Sequence, residues 1–141
     1  MLKTILVALD ESELSERVIQ TLSELQLQPA SKVILSHVIS STGSDLEMAA
    51  DQPHSKSENV PYRQIEKQMQ SYQANLGCQS EIEIVTGDPA EEIIRLANIH
   101  RAELIVIGSR GLKGLNRILQ GSVSSQVVTD APCSVLVVKP V

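Results

Sequence analysis

Residues 103–124 read ELIVIGSRGLKGLNRILQGSVS, and this stretch decides the fold. Its first part, 103–107 (ELIVI), is a short β-branched apolar run of strand length. Glycines follow at 108, 111, 114 and 121, four of the seven in the chain. A helix is expected to begin at Ser122 and to end near Ala131-Pro132. A strand that ends on glycines and leads into a helix is half of a parallel α/β unit.

The rest of the chain repeats that grammar. Residues 3–9 (KTILVAL), 33–39 (VILSHVI), 81–86 (EIEIVT) and 134–138 (SVLVV) are compact runs of the same kind. Their near-continuous apolarity predicts burial on both faces, as in a parallel sheet. Helical spacing lies between them. Leu14, Val18, Leu22 and Leu25 form one stripe, and Tyr62, Ile65, Met69, Tyr72 and Leu76 form another. Pro61 suits the first position of that second helix and Gly77 its C-terminal end. Asp88-Pro89-Ala90-Glu91 reads as N-cap, proline at the first turn and Glu three residues after the cap, opening a helix with Ile93, Ile94 and Ala97. The order βαβαβαβαβ predicts an α/β fold: an open, five-stranded parallel sheet with helices on both faces. One domain over 1–141 is expected, with a flexible loop at 40–60, where Gly and Pro break a polar segment.

Composition removes several classes of function. Twelve Lys and Arg against seventeen Asp and Glu give a net charge of −5. An acidic chain lacks the basic footprint that nucleic-acid phosphates require. There is no Trp or Phe, and the two tyrosines are Tyr62 and Tyr72, so stacking platforms for single strands are excluded. The opening MLKTILVALDES has no signal-peptide pattern, and no apolar run is long enough to span a bilayer. Cytoplasmic placement and free thiols at Cys78 and Cys133 are expected. His37, His54 and His100 lack metal-ligand spacing. His37 is expected to end a strand, His54 to lie in the loop and His100 to end a helix. Neither GxSxG nor a Cys–His signature is present, and no catalytic residue is assigned.

The glycine segment has its own electrostatics. From Leu104 through Thr129 there is no Asp or Glu, while Arg110, Lys113 and Arg117 all occur. Open N–H groups at a helix start, glycines that permit close approach and a locally positive field together predict a phosphate site. Neither a Walker A loop nor a GxGxxG fingerprint is present. The pattern is instead Gly108, Gly111, Gly121-Ser122.

That spacing, G-x2-G-x9-G-[S/T], resembles the ATP-binding branch of the universal stress protein family. The likeness covers nearly the whole chain. ILVALDES resembles the family's first strand ending in Asp, Leu35-Ser36-His37-Val38 its second strand ending, Gly87-Asp88-Pro89-Ala90 the start of its third helix, and Ala131 to Val138 its last strand. The resemblance implies a Rossmann-like sheet of order 3-2-1-4-5, with ligand bound beyond the strand ends at the switch point between strands 1 and 4. It implies that Asp10 meets adenosine, that Val38 meets adenine through its main chain, and that Ala8 and Leu9 line the base pocket, where the family often has Pro and Thr. It implies Ile107 and Gly108 beside ribose and α-phosphate, Arg110 and Gly111 along the phosphate chain, and Gly121, Ser122, Val123 and Ser124 on the phosphates. A divalent ion such as Mg2+ would ride on the phosphates, since no carboxylate cage is present. Asp10-Glu11-Ser12-Glu13 equally reads as a capping box.

The resemblance thus implies a nucleotide-dependent stress-response regulator that binds ATP, hydrolyses it slowly at most, and acts on protein partners. A homodimer through strand 5 (135–138) is expected, because an apolar sheet edge pairs readily. An adenine-nucleotide or flavin-using enzyme of a related fold and a scaffold that binds no nucleotide are the alternatives.

Overall fold

The computed structural model describes residues 2–10, 14–40, 54–109 and 117–139, with side chains from 62 and from 123 onward in the last two stretches. The elements alternate: β1 Thr4–Leu9, α1 Leu14–Glu24, β2 Lys32–Ser40, α2 His54–Ala74, β3 Gln79–Gly87, α3 Pro89–His100, β4 Leu104–Gly108, α4 Arg117–Asp130 and β5 Ser134–Val138. The sheet order is β3-β2-β1-β4-β5, and every pairing is parallel.

Strand alternation divides the core into two layers. Ile5, Val7, Leu9, Val33, Leu35 and Val106 pack with Leu14, Val18 and Leu22 of α1 and with Ile65 and Met69 of α2. Leu6, Ile34, Ile105 and Ile107 pack with Ile93, Leu96 and Ala97 of α3 and Val127 of α4. Burial on both faces is why β1, β2 and β4 are largely apolar, whereas the edge strand β3 carries Glu81 and Glu83 and has no fully buried residue. Each fully buried aliphatic side chain contributes about 1.5–3 kcal/mol. The chain moves from β1 outward to β3 with its helices on one face. It then crosses to β4 and β5 with its helices on the other, so β1 and β4 are neighbours at the reversal.

Local signals set the element ends. At α3, the Asp88 side chain accepts the Glu91 N–H at 3.0 Å and Pro89 occupies the first turn. Arg101 closes this helix in the left-handed region, with φ 53° and ψ 49°, and its N–H reaches back to the helix. His100 is the last residue of α3, as expected.

Two helices differ from the sequence expectation. α2 begins at His54, so 54–60 is helical and Pro61 lies inside the helix rather than at its start; Ala74 ends it, before Gly77. The remainder of the expected loop, 41–53, lies outside the described residues. The apolar stripe also starts later, because Tyr62 is 41 % exposed while Ile65 and Met69 are buried. α4 begins at Arg117, five residues before Ser122. Ile, Leu and Gln at 118–120 extend helix well, and a single interior glycine at 121 costs only about 1 kcal/mol.

Candidate functional site

The strand registers bring the expected residues of β1, β2 and β4 to one end of the sheet. Ala8 stands opposite Ile107 on β4, and Leu9 opposite His37 on β2. One residue further, Asp10 and Ser109 stand just past the ends of β1 and β4, level with Val38 inside β2. In an open α/β sheet the crevice at the reversal point, here between β1 and β4, is where ligands bind.

Asp10 is fixed there by the first turn of α1. The Ser15 hydroxyl donates to the Asp10 carbonyl oxygen at 2.7 Å and lies 3.2 Å from the carboxylate Oδ1, while the Asp10 N–H donates to Ser15 Oγ at 3.1 Å. Ser15 is 2 % exposed, so this link is shielded from water. The remaining residues of the expected capping box, 11–13, lie outside the described residues. A second clamp comes from the neighbouring strand: His37 lies inside β2, three residues before its end rather than at it, and its Nδ1 meets the Leu9 carbonyl oxygen at 3.0 Å. A carbonyl only accepts, so Nδ1 carries the proton. Ser36, fully buried, donates to the Val7 carbonyl oxygen at 2.8 Å.

Apolar side chains line the face covered by α3 and α4. Ala8, Val38 and Val123, each partly buried, pack in the same layer as buried Ile107. The structure therefore brings together four of the residues expected at the site. Leu9 points to the opposite face, 5 % exposed in the layer of Leu14 and Val18, so its side chain serves the core. Gly108 has a packing reason to be glycine: a Cβ there would lie 2.6 Å from Leu14 Cδ2 and 2.9 Å from Leu14 Cγ. Ser109 beyond it donates its N–H to the Val138 carbonyl oxygen at 2.9 Å.

Arg110 and Gly111 lie outside the described residues. Gly121 and Ser122 lie in the second turn of α4, not at its start. The N–H groups left open by a helix beginning at Arg117 are those of its first four residues. The helix start expected at Ser122 is therefore five residues earlier, and the N–H groups of 121 and 122 lie inside the helix. Ser124, in the same helix, is partly buried.

Tyr72 of α2 has its phenol pushed up, first by burial and then by the charge of Glu16, with a smaller push from Asp10. Acidic groups thus gather on the α1–α2 side, while the β4–α4 segment from 104 through 129 carries no acid. Among the described residues no group of His, Cys, Asp or Glu is arranged to hold a metal. Sequence spacing does not single out Ser15 and His37 as supports of the site. Their roles depend on bonds between separate elements, which hydropathy patterns do not register.

This geometry defines an open α/β protein whose parallel sheet reverses its order between β1 and β4. The chain belongs to the universal stress protein family, whose model matches residues 1–139. It is 32% identical over 149 residues to universal stress protein Sll1388 of Synechocystis, covering 96% of each chain. It superposes on the solved structure of MJ0577 from Methanocaldococcus jannaschii with a TM-score of 0.84 and 30% identity, covering 100% of this chain and 98% of the other. A universal stress protein solved in complex with cAMP has the same fold, with a TM-score of 0.72 at 23% identity, over 98% of this chain and 97% of the other. Among the described residues no helix is long and apolar enough to cross a membrane.

Proposed function

We propose that this stress-response protein binds ATP in the crevice between the carboxyl ends of β1 and β4, and that occupancy regulates its contacts with protein partners in the cytoplasm. The observation that carries the reading is a polarity: Asp10 directly follows β1, while the sequence after the neighbouring strand β4 holds Arg110, Lys113 and Arg117 and no acid through Thr129. A carboxylate accepts ribose hydroxyls and repels phosphates, so this polarity orients a nucleotide with its phosphates toward the 108–124 segment. Adenine then lies against Ala8, Val38, Ile107 and Val123, read through main-chain groups because neither tyrosine is placed to stack on it. Phosphates follow Gly108, Arg110 and Gly111 toward the first turn of α4, with Ser122 and Ser124 beyond, and Mg2+ rides on them.

The cAMP bound by one member of the same fold supports an adenine nucleotide as the ligand class. The intact glycine pattern favours a nucleotide with several phosphates. Phosphoryl transfer additionally needs a positioned base, and no residue is assigned that part. The chain is read as one domain that dimerises through β5, the apolar strand at one end of the sheet.

Equilibrium titration with ATP tests the reading. Saturable binding is expected, and a bulky residue at Gly121 should abolish it. No detectable binding at millimolar ATP in a folded sample would refute it. Mass spectrometry of ligand released from freshly purified protein identifies the working nucleotide.

A further inference from the structure

Among the described residues the sheet ends in two unpaired edges, β3 and β5. α1 lies over β1, β4 and β5, whereas α2 lies over β2 and β3. Leu14, Val18 and Leu22 turn α1 toward the sheet. On a helix with that face down, Ser15, Glu16 and Ile19 fall on one flank and Arg17, Thr21 and Glu24 on the other. Ile19 packs against the same core layer as Tyr72 and Leu76, on the side where α2 lies over β2 and β3, and the charge of Glu16 reaches Tyr72, so the first flank faces α2. The second flank, with Arg17 and Glu24, therefore faces the β5 edge.

Neither charge on that flank is paired among the described residues. Arg17 Nε is buried and has no hydrogen-bond partner there. A buried donor without an acceptor is a rare and costly feature. Glu24 is exposed.

Leu14 and Val18 both approach Gly108, which stands level with Val138 of β5. Leu136, the midpoint of β5, is two residues down the strand, about 7 Å at about 3.4 Å per residue. That drop spans between four and five helical residues at about 1.5 Å each, and so reaches about residue 20 of α1. Residue 20 lies close to midway between Arg17 and Glu24.

We propose that α1 carries the charge pairing of a β5-to-β5 dimer. A second copy added antiparallel at β5, about a two-fold axis at Leu136, keeps both α1 helices on one face of the continued sheet. The axis sets Arg17 against Glu24 of the partner subunit, and Glu24 against the partner's Arg17. A two-fold interface must be self-complementary, and this flank is. The other edge is not. An antiparallel pair centred on β3 would set Glu83 against the partner's Glu83, and like charges directly opposite destabilise a sheet. The inference rests on the dimer reading above and adds the residues that select the edge and the register.

Sedimentation of the full chain tests it, using wild type, Arg17→Glu, Glu24→Arg and an equimolar mixture of the two variants, with circular dichroism confirming that each is folded. The wild type is expected to dimerise. Each variant alone is expected to dissociate about tenfold more readily or worse, since two unlike pairs become two like pairs. The mixture is expected to recover dimers. A chain carrying Arg17→Glu has two acids on this flank and a chain carrying Glu24→Arg has two bases, so a mixed dimer restores unlike charges at both contacts. A dimeric wild type with both variants unchanged would overturn the α1 pairing and leave the dimer standing. A wild type that stays monomeric at high concentration would overturn both.

Discussion

Ser15 and Asp10 form a closed pair. The serine hydroxyl donates to the aspartate carbonyl oxygen at 2.7 Å and accepts the aspartate N–H at 3.1 Å. The link joins the end of β1 to the first turn of α1, so the carboxylate in the crevice stands on a rigid support. Such bonds contribute to stability and to pre-organisation of the site together.

Ser15→Ala is therefore expected to cost about 1–3 kcal/mol, because it strips partners from a shielded main-chain group. Urea denaturation measures this. ATP affinity is expected to fall several-fold in the same variant. Ser23→Ala serves as the control: its hydroxyl also reaches a carbonyl, that of Gln20, but in an exposed position. That variant is expected to stay within about 0.5 kcal/mol of wild type. Equal losses in the two variants would contradict the role given to Ser15.

Gly108 is tied to Leu14 by space. A Cβ at 108 meets Leu14 at 2.6 Å, so Gly108→Ala is expected to destabilise the protein by about 1–3 kcal/mol without nucleotide present. Combined with Leu14→Ala, the total cost should be smaller than the sum of the two, since the truncated leucine leaves room for the new methyl. Strict additivity in a double-mutant cycle would show that the glycine is not held by this contact.

The thiols give a pH dependence with a definite sign. Burial pushes both Cys78 and Cys133 up from the ordinary thiol range, favouring the neutral form in the folded state. Below the ordinary thiol range this preference contributes in full, and it fades as pH rises through the raised values. Alkylation of the folded protein at mildly alkaline pH should be slower than that of a free cysteine, and should accelerate as pH climbs further. Rates equal to those of the urea-unfolded chain at the same pH would contradict the shift.

Much of the fold was legible because its determinants are local and repeated. Five runs of strand length became five strands, buried on two faces in β1, β2 and β4 but not at the edge strand β3, and the Ser134–Val138 strand has the bounds its pattern predicted. The Asp88 cap was equally plain, since a capping side chain, proline and glutamate act within four consecutive residues. The helix starts at His54 and Arg117 were not legible. Pro61 and Gly121 read as boundaries, yet each penalty is borne inside a longer helix. The crevice itself was half legible. The positions of Asp10 and Gly108 at strand ends follow from where the apolar runs stop, whereas Val38 is named only by the family resemblance and lies two residues inside the end of β2. The Ser15 and His37 bonds join residues whose proximity arises only after the sheet is assembled.

Occupancy of the β1–β4 crevice by an adenine nucleotide is the central proposal. Amide chemical shifts of the isotopically labelled full chain, followed through a titration with ATP and Mg2+, test it directly. Saturable changes are expected at Asp10, Val38, Gly108 and through Gly121–Ser124, with Gln79 and Glu81 on the far edge unmoved. Shifts that fail to saturate at millimolar ATP, or that saturate only away from the β1 and β4 ends, would contradict it.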